Sequence, residues 1–349
     1  MKPRKIQAVK VMTPTPTQRS RKVTFAATNK YIVDNSISQR EYREGTYYAW
    51  GEGNAYPNVI YEQYLNSPTL QSIIDGITQY VSDGEGADLD KIAFQLELYG
   101  AFALRVGYNE QGVVYDVLDW RYLRYSTDEG KMVYSKRFGE PYSQDRTTYT
   151  YELYDPQASL YENRGRVVIG RRANFQRYPI PPIGSALHAV ECETLIARYH
   201  LGAIKNGFAA SAIVNFNSGG MLTDDEKAQI ERDFNEKFSG ADNAAVTMLV
   251  FNESKDTAAT VESFSVNDFG EKYKGLADSV KQQIFTAFRI NPNIFGLPTE
   301  GTGFSGEEYA QSFALFVRNV VMPMQSLIAK TLKGIGAKVM FNEVKGIGE

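Results

Sequence analysis

Two amphipathic runs of matching pitch, held apart by a compact stretch and followed by a third such run, constrain this chain more than any other feature. The first run is read as a helix over roughly residues 185–210. Leu187, Val190, Thr194, Ala197, Leu201, Ile204 and Phe208 recur on it at alternating steps of three and four. That spacing puts one narrow face against a neighbour. The second, about 269–289, repeats the stripe with Phe269, Tyr273, Leu276, Val280, Ile284 and Phe288. The third, about 306–332, carries Tyr309, Phe313, Phe316, Val320, Leu327 and Ile328. Asp268 with Glu271, Ser305 with Glu308, and Thr223 with Glu226 have the spacing of a capping box, in which each side chain satisfies an orphan N–H of a first turn. Pro323 lies inside the third run. It removes the bond to the Asn319 carbonyl, so a kink is expected there.

The stretch between the first two helices, residues 213–267, reads as β-α-β-β. Ile213–Phe216 is extended, a helix runs from Asp224 to Phe238, and strands are expected over Val246–Phe251 and Thr260–Ser265. Upstream, Pro68 splits a helical stretch over Tyr61–Tyr80, and Asp88–Tyr99 forms a helix that Gly100 ends. Phe102, Leu104 and Val106 then alternate into a hairpin that turns at Asn109–Gly112 and returns through Val113, Tyr115 and Val117. Short strands follow near 122–126, 132–135, 149–154 and 167–169. Residues 34–183 thus read as one α+β unit. The aromatics Tyr47, Tyr48, Trp50 and Tyr56, set between glycines, read as a loop pressed onto another surface, with packing inside this chain favoured over a ligand cage.

Charge is unevenly spread. Eight of the 38 Lys and Arg residues fall within residues 1–33, which hold no acid, so the remainder carries 30 basic against 41 acidic residues. An acidic body with a basic arm is not a simple nucleic-acid-binding domain. The arm reads either as a solvated tail or as a segment that docks on an acidic neighbour. No uninterrupted apolar run reaches the ~18–20 residues of a bilayer span, so no membrane partner is expected. The N-terminus is basic and polar, so cytoplasmic synthesis is expected. The single cysteine, Cys192, reads as a packing thiol.

Catalytic patterns do not assemble. The Gly-rich GTGFSGEE at 301–308 lacks the Lys-Ser/Thr ending of a phosphate loop. Gly303–Glu307 misses the last glycine of a nucleophile elbow. His188 and His200 lie on one helix, separated by about 18 Å of rise, too far to share a metal. The acidic pairs Asp224-Asp225 and Glu307-Glu308 sit in helix first turns, where they complement the dipole. No cofactor, no metal and no enzymatic activity are expected.

Several segments resemble the portal proteins of tailed bacteriophages, in particular the short, lambdoid-style portals. Leu98-Tyr99-Gly100-Ala101-Phe102-Ala103 resembles that family's helix-Gly-strand segment, and Val117-Leu118-Asp119-Trp120-Arg121-Tyr122 its following strand. Asn206-Gly207-Phe208, ahead of Ile213-Val214, resembles the step into its insert. Ile290-Asn291-Pro292-Asn293-Ile294-Phe295-Gly296 resembles its hydrophobic-x-Pro-x-x-x-Gly step, and Val320-Val321-Met322-Pro323 its late-helix proline. The likeness runs over roughly residues 60–340 and rests on order and spacing.

The resemblance implies an α+β portal-type fold: α/β wing, two-helix stem, small α/β clip insert and long kinked wing helix. The segments would be a basic arm (1–33), wing (34–183), first stem helix (184–212), clip (213–267), second stem helix (268–290), tunnel loop (291–305), kinked wing helix (306–332) and a short tail (333–349) in place of a crown. It further implies a homo-oligomeric ring, usually of twelve subunits, at one capsid vertex of the virion, assembled in the host cytoplasm. Such a ring passes double-stranded DNA, docks the terminase large subunit and a head-tail adaptor, and contacts the major capsid protein or scaffold.

A conduit must let DNA slide, and a strongly basic wall would trap it through counterion release. The second stem helix opposes its stripe with Glu271, Asp278, Gln282 and Arg289, flanked by Lys274 and Lys281, a face of mixed sign expected to line the channel. The loop 291–305 has no Lys or Arg. Asn293, Thr299, Glu300, Gly301, Thr302, Gly303 and Phe304 are its expected DNA-facing residues. In the clip, Asp224, Asp225, Glu231, Asn252 and Lys255 are the expected terminase or adaptor contacts. The alternatives are another phage ring, such as an adaptor or connector, and, from a different class, a nuclease or capsid-maturation protease.

Overall fold

A computed structural model describes residues 39–42, 45–51, 54–110, 112–138, 148–174, 176–205, 212–216, 222–238, 247–251, 269–296 and 306–344. It begins with strands β1 (Gln39–Tyr42) and β2 (Gly45–Tyr48), an antiparallel hairpin with Gln39 opposite Tyr48. Sequence reading placed a loop at Tyr47 and Tyr48. The strand forms because β1 supplies a ladder and Tyr47 bridges to Ser126. Helices α1 (Tyr56–Asn66) and α2 (Pro68–Val81) follow. They separate at Ser67, which is extended, as a residue before proline prefers, and whose Oγ accepts the Leu70 N–H at 3.0 Å.

Strand β3 (Gly84–Glu85) precedes α3 (Leu89–Tyr99). Gly100 ends α3 with φ 79°, and a Cβ there would lie 2.9 Å from the Ile180 carbonyl oxygen, so both backbone and space require glycine. Strands β4 (Ala101–Asn109) and β5 (Gly112–Leu118) form the expected hairpin. Next come β6 (Leu123–Tyr125), β7 (Lys131–Tyr134), β8 (Tyr149–Glu152) and β9 (Val167–Arg171). They make two three-stranded antiparallel sheets, ordered β5-β4-β9 and β6-β7-β8. Trp50 is fully buried between them and the helices. It stacks on Tyr178 at 5.1 Å and meets Tyr56 and Trp120 edge-on at 5.6 and 6.3 Å. The aromatic segment therefore packs within this chain.

After a 3-10 turn at Pro182–Ser185 comes α4 (Leu187–Lys205), then β10 (Ala212–Phe216), α5 (Asp224–Phe238), β11 (Thr247–Phe251) and α6 (Phe269–Ala287). β10 and β11 pair in parallel, Ala212 opposite Thr247, with α5 as the crossover such a pair requires. The second insert strand expected over Thr260–Ser265 lies outside the described residues. The capping box at Thr223 forms: the Thr223 N–H and hydroxyl both donate to Glu226 Oε2 at 2.8 Å. The boxes at Asp268 and Ser305 lie partly outside the described residues.

Helices α4 and α6 pack along each other. Their stripes divide. Leu187 and Val190 at the start of α4, and Val280 (3% exposed) and Ile284 near the end of α6 with Phe288 just beyond it, join the core. Leu201 and Leu276 are 53% and 46% exposed. α6 stops at Ala287, short of the expected Arg289.

The last helix is continuous from α7 (Gly306–Phe316) through a π-helical turn, Val317–Val321, into α8 (Met322–Gly334). The Met322 N–H reaches the Val317 carbonyl, five residues back. Pro323 brings no N–H for the Asn319 carbonyl, and the sequence expectation of a kink resolves here into a π-bulge. Phe313, Phe316, Val321, Met324, Ile328 and Leu332 bury the inner face, with Tyr80 edge-on to Phe316 at 5.5 Å. Strand β12 (Met340–Phe341) closes on β3, Met340 opposite Glu85.

Among the described residues, one helix, the 29-residue Gly306–Gly334, is long and apolar enough to cross a membrane by length and composition. Counting uninterrupted apolar residues overlooked it, because Arg318, Asn319, Gln325 and Ser326 interrupt the run without lowering its average enough. About a third of its most apolar window is buried against the body.

Candidate conduit surfaces and the helix junction

On α6, Lys274, Lys281 and Gln282 are exposed and Asp278 is half-buried, on the side away from Val280 and Ile284. Asp278 stands four residues from Lys274 and Gln282 and three from Lys281, so the four share one surface of mixed sign. Glu271 lies on α6, but its side chain is outside the description.

Arg289 is not on that helical face. The Ile290 N–H donates to the Phe285 carbonyl at 3.1 Å and the Arg289 N–H to the Thr286 carbonyl at 3.0 Å. These are the two bonds of a Schellman cap, which needs a left-handed residue after the last helical one. Arg289 supplies it with φ 59°. For a residue bearing a Cβ that conformation costs on the order of 1 kcal/mol.

Asn293 also departs from expectation. It was read as a residue of a shape-changing loop, but it is 9% exposed in a 3-10 turn, Pro292–Phe295, and its N–H is held by the Asn291 side chain at 3.2 Å. Phe295 lies so close over Gly76 that a Cβ there would be 2.2 Å from the ring, and it packs on Phe285 at 5.9 Å. The start of the expected loop is thus anchored to α2 and α6. Thr299, Glu300, Gly301, Thr302, Gly303 and Phe304 lie outside the described residues.

In the insert, Asp224 and Asp225 are exposed in the first turn of α5, with Asp224 3.8 Å from Lys227. Glu231 lies on α5 with its side chain outside the description, and Asn252 and Lys255 are outside it altogether.

Sequence reasoning missed the junction where α6 returns to the body. There a cavity of about 180 Å³ is lined by Glu97, Arg172, Arg289, Asn319 and Pro323, among others. Glu97, 1% exposed, accepts a hydrogen bond from the Arg172 guanidinium. Burial pushes its carboxyl up, while the charges of Arg172 and Arg289 pull it down. Only the departure of Arg289 from glycine at a helix end could have hinted at this site.

No group of three or more His, Cys, Asp or Glu side chains among the described residues could hold a metal ion. Among the described residues, the surface presents exposed helix faces and a strand–helix–strand crossover unit. The family model for phage portal proteins matches residues 89–342, and the chain belongs to that family, as a structural, non-enzymatic component of the virion.

Two solved structures agree in fold. "Virion of native gene transfer agent (GTA) particle" includes a chain 14% identical, with 90% of this chain and 88% of that one covered at a TM-score of 0.54. "Neck of native GTA particle computed with C12 symmetry" gives 13%, 90%, 88% and 0.52. An HK97-family phage portal protein from Corynebacterium diphtheriae, 11% identical over 78% of this chain and 89% of that one, reaches a TM-score of 0.47. The curated proteins hold no match to the sequence.

Proposed function

We propose that this chain forms a homo-oligomeric ring, of twelve copies, at the portal vertex of the capsid, through which double-stranded DNA is packaged and ejected. In this reading residues 34–183 and the long bulged helix are the wing, 184–212 and 268–290 the stem, 213–267 the clip and 291–305 the tunnel loop. The terminase large subunit and a head-tail adaptor dock on the clip in turn, and the wing meets the capsid protein or scaffold.

The observation that carries it is the divided stripe: α4 and α6 pack together, yet Leu195, Leu201 and Leu276 remain exposed on them. Copies standing side by side would cover those leucines. A similar chain occurs in a neck computed with C12 symmetry, which is compatible with that copy number. The mixed-sign face of α6 suits a wall on which DNA slides without the large counterion release of a basic channel.

Mass measurement of the purified chain together with negative-stain images tests the reading. Closed rings with a central hole are expected; a species that stays monomeric at micromolar concentration would refute it. Deleting residues 297–304 is expected to leave the rings intact and impair DNA packaging or retention. Loss of assembly instead would remove the tunnel-loop assignment.

A further inference from the structure

The β6-β7-β8 sheet carries tyrosines on one face. Tyr134 on β7 stands opposite Tyr149 on β8, and Met132 opposite Tyr151, so all four side chains leave the same side. Part of that face is closed, with Leu123 and Met132 fully buried. At β8, the edge strand, it opens, and Tyr149 is 50% exposed. The rings of Tyr134, Tyr149 and Tyr151 form a near-equilateral triangle with centroids 6.3–6.4 Å apart, and Tyr122 lies 6.0 Å from Tyr134.

The Arg121 guanidinium continues the line, 5.1 Å from the Tyr122 ring and 3.9 Å from the ring of Tyr61 on α1. Tyr61 and Arg121 in turn form one side of a pocket of about 380 Å³. Two hydroxyls in its wall, those of Tyr99 and Thr78, are buried with no hydrogen-bond partner, and Tyr99 as a whole is 1% exposed. A buried hydroxyl left unpaired is costly, so the pocket is shaped for a polar group that the described residues do not supply.

A polyproline segment suits such a surface. It has no internal hydrogen bonds, it bares its carbonyls, and it lacks an N–H at each proline. It therefore brings acceptors to hydroxyl and guanidinium donors, and its pyrrolidine rings dock in aromatic-lined grooves. With a rise of 3.1 Å per residue, prolines two positions apart lie about 6.2 Å apart along the axis, the spacing of the rings.

This chain contains such a run. Thr13-Pro14-Thr15-Pro16-Thr17 belongs to the basic arm, outside the described residues. The first described element, β1, pairs with β2, which bridges to Ser126 at the end of β6, so the arm joins the body beside the tyrosine sheet. Residues 19–38 can span up to about 65 Å when extended, far more than the width of three strands. A tether of this kind holds the run at a local concentration on the order of millimolar. The arm's eight basic residues and no acid also suit a body with 41 acidic against 30 basic residues.

We propose that residues 12–18 of the arm dock on their own chain as a polyproline segment, running from Tyr149 past Tyr134 and Tyr122 to the Tyr99 pocket. In that conformation they cover about 20 Å, enough for this path. The prolines pack on the rings, and carbonyls of the segment accept from the Tyr99 and Thr78 hydroxyls. The docking involves one chain and does not require a ring.

Hydroxyl-radical footprinting of the full-length protein, read at each tyrosine by mass spectrometry, tests it. The parent is compared with the double variant Pro14→Gly, Pro16→Gly, which leaves every described element untouched. Labelling of Tyr149 is expected to rise at least about threefold in the variant, while buried Tyr178 stays unchanged. Equal labelling of Tyr149 in the two proteins would overturn the proposal. The reverse change, Tyr149→Ser with Tyr151→Ser, is expected to speed tryptic cleavage after Arg19 and Arg21 by at least about threefold when the prolines are present, and not when they are replaced. Equal acceleration in both backgrounds would overturn it as well. Lysine crosslinks from Lys10 to Lys91, in the pocket wall, are expected within single chains when 14N and 15N protein are prepared as a mixture. Crosslinks joining the two isotopes would assign the segment to a second copy and refute docking on its own chain.

Discussion

The Glu193 carboxylate on α4 accepts a hydrogen bond from the hydroxyl of Ser67, 126 positions earlier in the chain. Thr69 donates to the other oxygen of the same carboxylate. Ser67 is meanwhile the N-cap of α2, so its hydroxyl both donates to α4 and accepts from the first turn of α2. A carboxylate at a helix N-terminus is favoured by the dipole as well as by the hydrogen bonds. One side chain thereby fastens the first helix of the pair to the body. Glu193→Ala is expected to cost about 2 kcal/mol in urea unfolding, because it strands two partly buried hydroxyls. A loss below about 0.5 kcal/mol would show the contact to be incidental.

Val280 and Leu276 stand four residues apart on α6, one buried and the other 46% exposed. The same substitution should therefore report different things. Val280→Asp places an unpaired charge in the core, and about 3–5 kcal/mol of stability should be lost. Leu276→Asp should leave the melting transition of the subunit nearly unchanged and lower the yield of rings. Unchanged assembly of the Leu276 variant would mean that this part of the stripe faces solvent in the assembled state as well.

Local chemistry made much of the fold legible. Pro68 gave the break between α1 and α2, Gly100 the end of α3, and the alternation after it the β4–β5 hairpin. The order of three long helices with a strand–helix–strand insert between the first two is also present, with a π-bulge where a kink was expected at Pro323. What stayed hidden depends on partners far along the chain. β1 and β2 carry glycine and polar residues that look like loop until Tyr47 is seen bridging to Ser126. Glu193 with Ser67, and Glu97 with Arg172, are acid–partner pairs that no periodicity announces. Arg289 was misplaced because a heptad count continues through a residue whose backbone has already left the helix.

The two-residue ladder between β3 and β12 depends on one missing side chain. A Cβ on Gly84 would lie 2.2 Å from the Met340 carbonyl oxygen, a backbone atom that cannot step aside. Gly84→Ala should therefore detach β12 while leaving the rest of the body folded. Faster amide exchange at Phe341 and Asn342, whose N–H reaches the Asp83 carbonyl at 3.0 Å, is the expected signature. Unchanged protection there would mean that the strands reseat around the added methyl.

The capping box of α5 makes a prediction about acid. The Thr223 N–H and then its hydroxyl hold the Glu226 carboxyl below the usual glutamate range. A depressed folded value means that the carboxylate contributes stability above the unfolded value, about 4.3, and loses that contribution as pH falls through the folded one. α5 should thus fray from its N-terminus on acidification, seen as rising exchange of its first-turn amides. In Thr223→Ala the hydroxyl is gone but the backbone N–H remains, so Glu226 should titrate part of the way back toward 4.3. Glu162, held low in the same manner by the Ser159 hydroxyl and N–H, is the internal control and should not move. An ordinary titration for Glu226 in the parent protein would mean that the box is open in solution, and the acid sensitivity of this helix would then need another origin.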